Sequence, residues 1–294
     1  MSKKQICFIV NPASGIGRKD YLRTYIDKYL DHEQYTYAIR YTKAPRHATE
    51  LTRKAVAEGA KVVVAVGGDG SVNEVAEGLL NTSVALGILP MGSGNAFASH
   101  WSISRRLKQA IEVLNRGNTV YSDIAFVNNR LLLATSGVGF AAYVAYLIKG
   151  SRVRGFLGYL KIALSTAFTY QSQIYRIRLD EHTAWIERKC FILEVSNVKY
   201  YGYGVQIAPP ADATDGLLNV TLVLERPRLD YVKTLWRIWS GTLYEADYTE
   251  YFTAKTVEIE LPAATPFHRD GEGELATDTI LRYQIHPKAL KLIV

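Results

Sequence analysis

Three glycine-bearing loops, each placed directly after a short apolar run, constrain this chain more than any other feature. Residues 6–10 lead into Asn11-Pro12-Ala13-Ser14-Gly15. Residues 61–66 lead into Gly67-Gly68-Asp69-Gly70-Ser71, and residues 86–89 pass through Pro90 into Gly92-Ser93-Gly94-Asn95. Continuous apolar runs of this length are strands buried on both faces, the habit of parallel sheets. Between them, residues 20–30 carry apolar or aromatic side chains at helical spacing, and residues 35–41 are strand-like. Residues 47–58 read as a helix stopped by Gly59. Ser71 is a candidate N-cap for a further helix over residues 73–80. The alternation predicts a nucleotide-binding-like α/β domain over residues 1–120.

From residue 121 the pattern changes. Strand-like runs at 131–134, 173–179, 191–195, 216–224, 256–261 and 280–286 are separated by turn residues such as Asp180-Glu181, Pro209-Pro210 and Asp270-Gly271. This predicts a β-rich, sandwich-like second domain over 121–286, with helical inserts near 140–170 and 229–241. The tail, about residues 287–294, is expected to pack back on the first domain. Residues 131–148 carry no charge and approach the length of a membrane span. The glycines at 137 and 139 interrupt the run, so a strand (130–136), a glycine turn and an apolar helix start are expected there instead.

A length of 294 residues, 48% of them hydrophobic and 21% charged, suits two globular domains. The net charge of +7 favours anionic partners such as a nucleotide or a phospholipid surface. Nucleic acid is not expected: the chain has no zinc-ligand spacing, no RNP-like aromatic motif and no heptads. Cys7 and Cys190 lie in strand-like contexts without CxxC spacing, and the N-terminal residues lack a signal-peptide pattern. A cytoplasmic protein without disulfides is therefore expected.

Glycine after a parallel strand lets backbone N–H groups turn toward a phosphate, and the following helix N-terminus adds its dipole. All three loops would lie at the carboxyl ends of strands, where open α/β sheets bind ligands. Neither G-x-x-x-x-G-K-[ST] nor G-x-G-x-x-G is present. Asp69 puts a carboxylate inside the second loop, where a metal ion or a magnesium–nucleotide would compensate its charge.

Residues 66–75, followed by 87–98, resemble the catalytic domain of the diacylglycerol kinase family, which includes bacterial lipid kinases and the sphingosine and ceramide kinases. Asn11 to Gly15 look like the family's first motif; Pro210 to Leu217 and Asp270-Gly271-Glu272 look like later ones. The resemblance spans nearly the whole chain. It implies an NAD kinase-like α/β domain, a β-sandwich-like second domain, and transfer of the γ-phosphate of ATP to a lipid hydroxyl in a cleft between the two. It implies that Asn11, Pro12, Ala13, Ser14, Gly15, Thr42, Gly67, Gly68, Asp69, Gly70, Ser71, Asn73, Glu74 and Ser93 hold the nucleotide. Glu272 is implied as general base, with Asp69 as a second catalytic carboxylate. Asp215, with the main-chain carbonyls of Asp212 and Leu217, is implied as a structural magnesium site. Ile16 stands where the family often has a basic residue, which leaves Arg18 or Lys19 for that role. Asn95-Ala96-Phe97 is closer to the sphingoid-lipid branch than to the Asn-Asp-Phe of many bacterial members, so either a diacylglycerol-like or a sphingoid acceptor fits.

Asp270 and Glu272, two apart on a strand, would face one side. Lys149, Arg152 and Arg154 after an apolar helix suit an anionic membrane surface, approached peripherally, or a solvated face. The cluster Tyr200-Tyr201-Gly202-Tyr203-Gly204 fits either an aromatic lip at a membrane or a packed β-turn, and His100 and Trp101 fit a packed helix face rather than the lining of a lipid entrance. Oligomerisation is left open. The competing readings are a kinase of NAD or a sugar phosphate, which shares the GGDG loop but not Leu89-Pro90-Met91-Gly92-Ser93-Gly94-Asn95, and a non-catalytic lipid-binding protein.

Overall fold

A computed structural model describes residues 3–13, 19–149 and 156–294. Ser14, Gly15, Ile16, Arg18, Arg152 and Arg154 lie outside the described residues. The chain divides into two compact units, Met1–Ser122 with Lys288–Val294, and Asp123–Pro287.

In the first unit, β1 (Lys4–Val10), α1 (Lys19–Tyr29), β2 (Tyr35–Tyr41), α2 (His47–Ala57), β3 (Val62–Gly67), α3 (Asp69–Leu79) and β4 (Ala85–Pro90) alternate. The short α4 (Ala96–His100) and α5 (Leu107–Arg116) follow. The strands are parallel in the order β2-β1-β3-β4, and Leu292 pairs in parallel beside Leu86. β3 and β4 are buried at every position, as their unbroken apolar runs require. The chain steps from β1 outward to β2, then crosses back to β3 on the other side. A crevice at the carboxyl ends of β1 and β3 follows from that reversal. α5 has no counterpart among the expected elements, because its buried side is only Ala110, Ile111 and Leu114.

The second unit begins within β5 (Thr119–Val127) and continues through β6 (Arg130–Leu132), β7 (Thr135–Gly139), α6 (Phe140–Lys149), α7 (Phe156–Ala167), β8 (Gln173–Leu179) and β9 (Ile186–Ser196). The hairpin β10 (Tyr200–Gly202) and β11 (Val205–Gln206) precedes β12 (Leu218–Leu224) and α8 (Asp230–Ser240). β13 (Thr249–Ala254), β14 (Thr256–Glu260), β15 (Pro266–Arg269), β16 (Glu272–Leu275) and β17 (Ile280–Ile293) complete it. β17 runs on into the residues of the first unit. The long β9 is the organising strand: it pairs antiparallel with β12 on one side and with β8 and β7 in turn on the other. One core, with Tyr175, Leu193, Val220, Ile259 and Tyr283, fills the sandwich. A second lies under the helices, where the rings of Phe140, Phe191 and Tyr231 stack at 4.6 and 3.9 Å.

No helix among the described residues is long and apolar enough to cross a membrane. The uncharged stretch at 131–148 divides into the end of β6, β7 and α6. Its glycines are not in the expected turn but inside β7. A β-carbon at Gly137 would sit 2.2 Å from the carbonyl oxygen of Leu193, and one at Gly139 would sit 2.6 Å from that of Phe191. β7 lies too close to β9 for side chains at these positions. Cys7 and Cys190 are buried and free, and burial pushes the Cys190 thiol up to about 12, far from reactive.

Candidate active site

The phosphate-loop candidates gather at one edge of the first unit. Residues 11–13 follow β1, Thr42 follows β2, Gly68 follows β3, and residues 91–95 follow β4, all parallel strands ending on the same side. The Asn11 side chain accepts from the Ala13 N–H at 2.9 Å, closing an Asx-type turn at the start of the first loop. Thr42 is buried, and its N–H donates to the Val10 carbonyl at 2.9 Å.

The second and third loops are locked to each other. A β-carbon on Gly92 would fall 2.3 Å from the Gly68 Cα, and one on Gly68 would fall 3.1 Å from the Gly92 Cα, so the two backbones are in contact and Gly92 cannot carry a side chain. The N–H groups of Met91 and Gly92 donate to the Gly67 carbonyl at 2.8 and 3.2 Å. Asn95, in the left-handed region, closes the third loop: its side chain accepts from the Gly92 N–H at 3.1 Å and donates to the Gly92 carbonyl at 2.8 Å. Its own N–H donates to the Asp69 carboxylate at 2.7 Å. Asp69, in the first turn of α3, therefore ties loop to loop as well as placing a negative charge at a helix N-terminus, where the dipole favours it. Gly68, in extended geometry, is the N-cap in place of Ser71. The Ser71 and Val72 N–H groups donate to its carbonyl. Ser71 is buried, and Asn73 is two residues further along α3.

Glu74 has a job that its sequence position does not announce. Its two carboxylate oxygens accept from the backbone N–H groups of Arg46 and Ala48, at 2.9 and 3.0 Å, at the start of α2. Ser93 is exposed, and the Arg105 guanidinium donates to the carbonyl oxygens of Ser93 and Gly94. Arg105 lies outside every motif, so nothing in the sequence marks it. His100 and Trp101 form the expected packed face, with Trp101 edge-on to both Phe97 and His100.

In the second unit, Glu272 opens β16 after the turn at Asp270-Gly271, whose residues have φ of 49° and 83°. Asp270 and Glu272 are not two apart on one strand, because Asp270 belongs to the turn. Its carboxylate accepts from the backbone N–H groups of Ala134 and Leu133, at 2.7 and 3.3 Å. Glu274 pairs with Arg130 at 2.6 Å. Glu272 is exposed, and among the described residues its carboxylate has no hydrogen-bond or ion-pair partner. α6 crosses directly over Gly273, where a β-carbon would lie 2.2 Å from the Tyr146 backbone nitrogen. β15 is anchored from behind by a buried pair that sequence reading passes over, since His268 looks like any alternating strand residue. The His268 imidazole meets the Glu194 carboxylate at 2.5 Å. Burial pulls the imidazole's pKa down, but the Glu194 charge and hydrogen bond more than offset it and leave it raised. Tyr201 leans toward His268 and packs on the core beneath the helices, so its cluster is a packed hairpin with Tyr203 exposed.

Beside β16 lies a cavity of about 520 Å³ lined by Gly139, Tyr143, Tyr146, Tyr170, Tyr175 and Leu275, among others. A larger one of about 680 Å³, walled by Arg178, Glu258 and Arg282, contains none of the candidate residues.

The candidate metal loop is tightly built. The Asp212 carboxylate accepts from the Thr214 N–H and hydroxyl, and Asp215 accepts from the Leu217 N–H at 2.8 Å. Asp123, fully buried and unmarked in the sequence, accepts from the Gly216 N–H at 2.6 Å. Burial raises the Asp215 carboxyl above its ordinary value; the Leu217 N–H opposes this, and the charges of Asp212 and Asp123 add to it. Among the described residues no three His, Cys, Asp or Glu side chains are placed to hold a metal by themselves. A cation here would rely on Asp215 and main-chain carbonyls, and would relieve the repulsion among these carboxylates.

Residues 5–127 match the diacylglycerol kinase catalytic domain, and residues 134–294 match the YegS C-terminal NAD kinase beta sandwich-like domain. A Chromohalobacter salexigens protein named "Probable lipid kinase YegS-like" is 30% identical over 80% of this chain and 77% of its own length. The "Diacylglycerol kinase" of Mycobacterium tuberculosis is 27% identical over 84% of this chain and 81% of its own. A crystal structure of a diacylglycerol kinase from Bacillus anthracis has the same fold, with a TM-score of 0.76 at 20% identity, covering 100% of this chain and 97% of that one. With both domains matched in order along the sequence, this chain belongs to the diacylglycerol kinase catalytic-domain family and is a lipid kinase.

Proposed function

We propose that this enzyme transfers the γ-phosphate of ATP to a hydroxyl group of a membrane lipid, with Glu272 as the base that takes the hydroxyl proton. The observation that carries this reading is the sorting of the three acids around the β15–β16 turn. Asp270 is engaged by backbone N–H groups and Glu274 by Arg130, while Glu272 is exposed and without a partner among the described residues. In the step itself the lipid oxygen bonds to the γ-phosphorus, its proton passes to the Glu272 carboxylate, and the bond to the oxygen of the departing ADP breaks.

The nucleotide is assigned to Asn11, Pro12, Ala13, Thr42, Gly67, Gly68, Asp69, Gly70, Ser71, Asn73 and Ser93, with Ser14 and Gly15 beyond the described residues. Locked backbones at strand ends suit phosphate, since their N–H groups need no reorganisation on binding. Glu74 serves by holding the start of α2 against this edge. Magnesium bound with the nucleotide would neutralise phosphate charge near Asp69. The cavity beside β16 is lined by Leu275, on the same strand as Glu272, and by Tyr143, Tyr146, Tyr170 and Tyr175, and suits an apolar part of the acceptor. Because the phosphate loops belong to one unit and Glu272 to the other, turnover in this reading requires both.

The test is transfer of labelled phosphate from magnesium–ATP into a panel of diacylglycerols, sphingoid bases and ceramides, with NAD and sugar phosphates as controls. Label in one lipid class is the expected result. Label only in the soluble acceptors, or none with ATP bound, sinks the reading.

Asp215, with carbonyls of Asp212 and Leu217, is proposed as a magnesium site that braces the second unit. Magnesium is expected to raise the unfolding midpoint of the wild-type chain, by up to about 2.7 kcal/mol of stabilisation at a hundredfold excess over Kd. Asp215→Asn keeps the acceptor for the Leu217 N–H and is expected to abolish that shift without unfolding the chain. An equal magnesium shift in the variant removes Asp215 from the ligand set.

A further inference from the structure

α8 is apolar on two sides, and only one of them is used. Tyr231, Thr234 and Ile238 face the core beneath the helices and are buried. Leu229, Val232, Trp236 and Trp239 recur at spacings of three and four, so they form a second stripe, roughly opposite the first at 100° per residue. That stripe is open: Leu229 is 79% exposed, Trp236 61% and Trp239 62%. Nearby Tyr244 is exposed as well, and α7, which packs against α8, adds Leu160 and Leu164, with Phe168 exposed just past its end. Scattered exposed apolar residues need no explanation, but two tryptophans and two aliphatics on one helix face do.

We propose that this face of α8 is a docking surface for an anionic lipid bilayer, which delivers the acceptor to the enzyme. The inference rests on the lipid-kinase reading for its purpose, but not for its evidence. Two observations select a membrane over a second protein. Tryptophan side chains, with an apolar body and an N–H at the rim, suit the headgroup boundary. Charge supplies the other: residues 226–240 hold Arg226, Arg228, Lys233 and Arg237 against a single acid, Asp230. Lys233 lies beside the apolar stripe, its side chain 79% exposed although its ammonium reaches Asp230 at 3.5 Å; the half-buried Arg237 follows one turn on and donates to the Thr242 carbonyl at 3.1 Å. α7 adds Lys161 and no acid. An apolar stripe bordered by cations matches negative headgroups over acyl chains.

The experiment is flotation of the full chain with vesicles of phosphatidylcholine, alone or mixed with phosphatidylglycerol, at low and high salt. Wild-type chain is expected to float with the anionic vesicles, less so at high salt as the charge contribution is screened. Trp236→Ser with Trp239→Ser is expected to lower the bound fraction by about tenfold or more. Lys233→Glu with Arg237→Glu should lose binding to anionic vesicles only. The tryptophan variant should phosphorylate a dispersed short-chain lipid within about twofold of wild type, and fall behind only on vesicle-borne lipid. Wild-type chain that does not float, or a tryptophan variant that floats like wild type, overturns the proposal. So does a concentration-dependent dimer that the tryptophan variant breaks, since a second copy would then be the occupant. Flotation as expected with no phosphate transferred to any lipid leaves the docking face standing and removes the proposed reaction.

Discussion

Glu272→Gln is expected to lower turnover by about a hundred- to ten-thousand-fold while ATP affinity stays within about twofold. Glutamine matches the size and polarity of the carboxylate but cannot take a proton. The fold has little at stake in the exchange, because Glu272 is exposed and without a partner among the described residues, while its neighbours hold the hairpin. Asp270 ties the turn to the backbone at Leu133 and Ala134, Glu274 reaches Arg130, and Gly273 lets α6 cross over the strand. Single-turnover transfer and nucleotide binding measured on the same preparation separate the two effects. Unchanged turnover with ATP binding weakened tenfold would move Glu272 to the nucleotide and leave Asp69 as the better candidate for the base.

Asp69→Asn is expected to cost on the order of a hundredfold or more in turnover, with an unfolding midpoint within about 2 °C of wild type. The carboxylate does two things that this substitution pulls apart. As an acceptor for the Asn95 N–H it joins the second loop to the third, and the amide oxygen of asparagine can keep that bond. As a charge at the N-terminus of α3 it would balance a metal bound with the nucleotide, and asparagine cannot. Stabilisation by magnesium–ATP should therefore shrink while the unliganded midpoint holds. A variant with near wild-type turnover would make Asp69 a structural tie only. A variant that melts early would show that the negative charge itself holds the loops together.

The phosphate-loop edge was legible because its signals are local. Apolar runs such as 62–66 read as buried parallel strands, and a glycine loop after each one points to the carboxyl end of a sheet without any long-range information. The family's motifs added roles to these positions. The sequence marked Gly68 and Gly92 as phosphate-loop glycines, but not the contact between them. That contact needs two loops separated by a helix and a strand to meet, and α3 begins from the Gly68 N-cap instead of from Ser71.

Tertiary structure alone decided what the acids do. Asp270, Glu272 and Glu274 are equivalent in a sequence of alternating residues. They become an anchor, an unpartnered carboxylate and an ion pair only when residues 130–134, more than a hundred positions earlier, are folded against them. The same holds for Asp123 beside Asp215, for Glu194 behind His268, and for Arg105 over the third loop. The strand-like run read at 280–286 extends in β17 to Ile293, through Pro287 and through Lys288 in the left-handed region, with partners in β14 over its first half and Leu292 beside Leu86 near its end. In α8 the periodicity marks two apolar stripes and cannot rank them. Packing against Phe191 buries Tyr231 and leaves Trp236 and Trp239 outside, because burial depends on which face meets the rest of the chain, and that is settled by contacts distant in sequence.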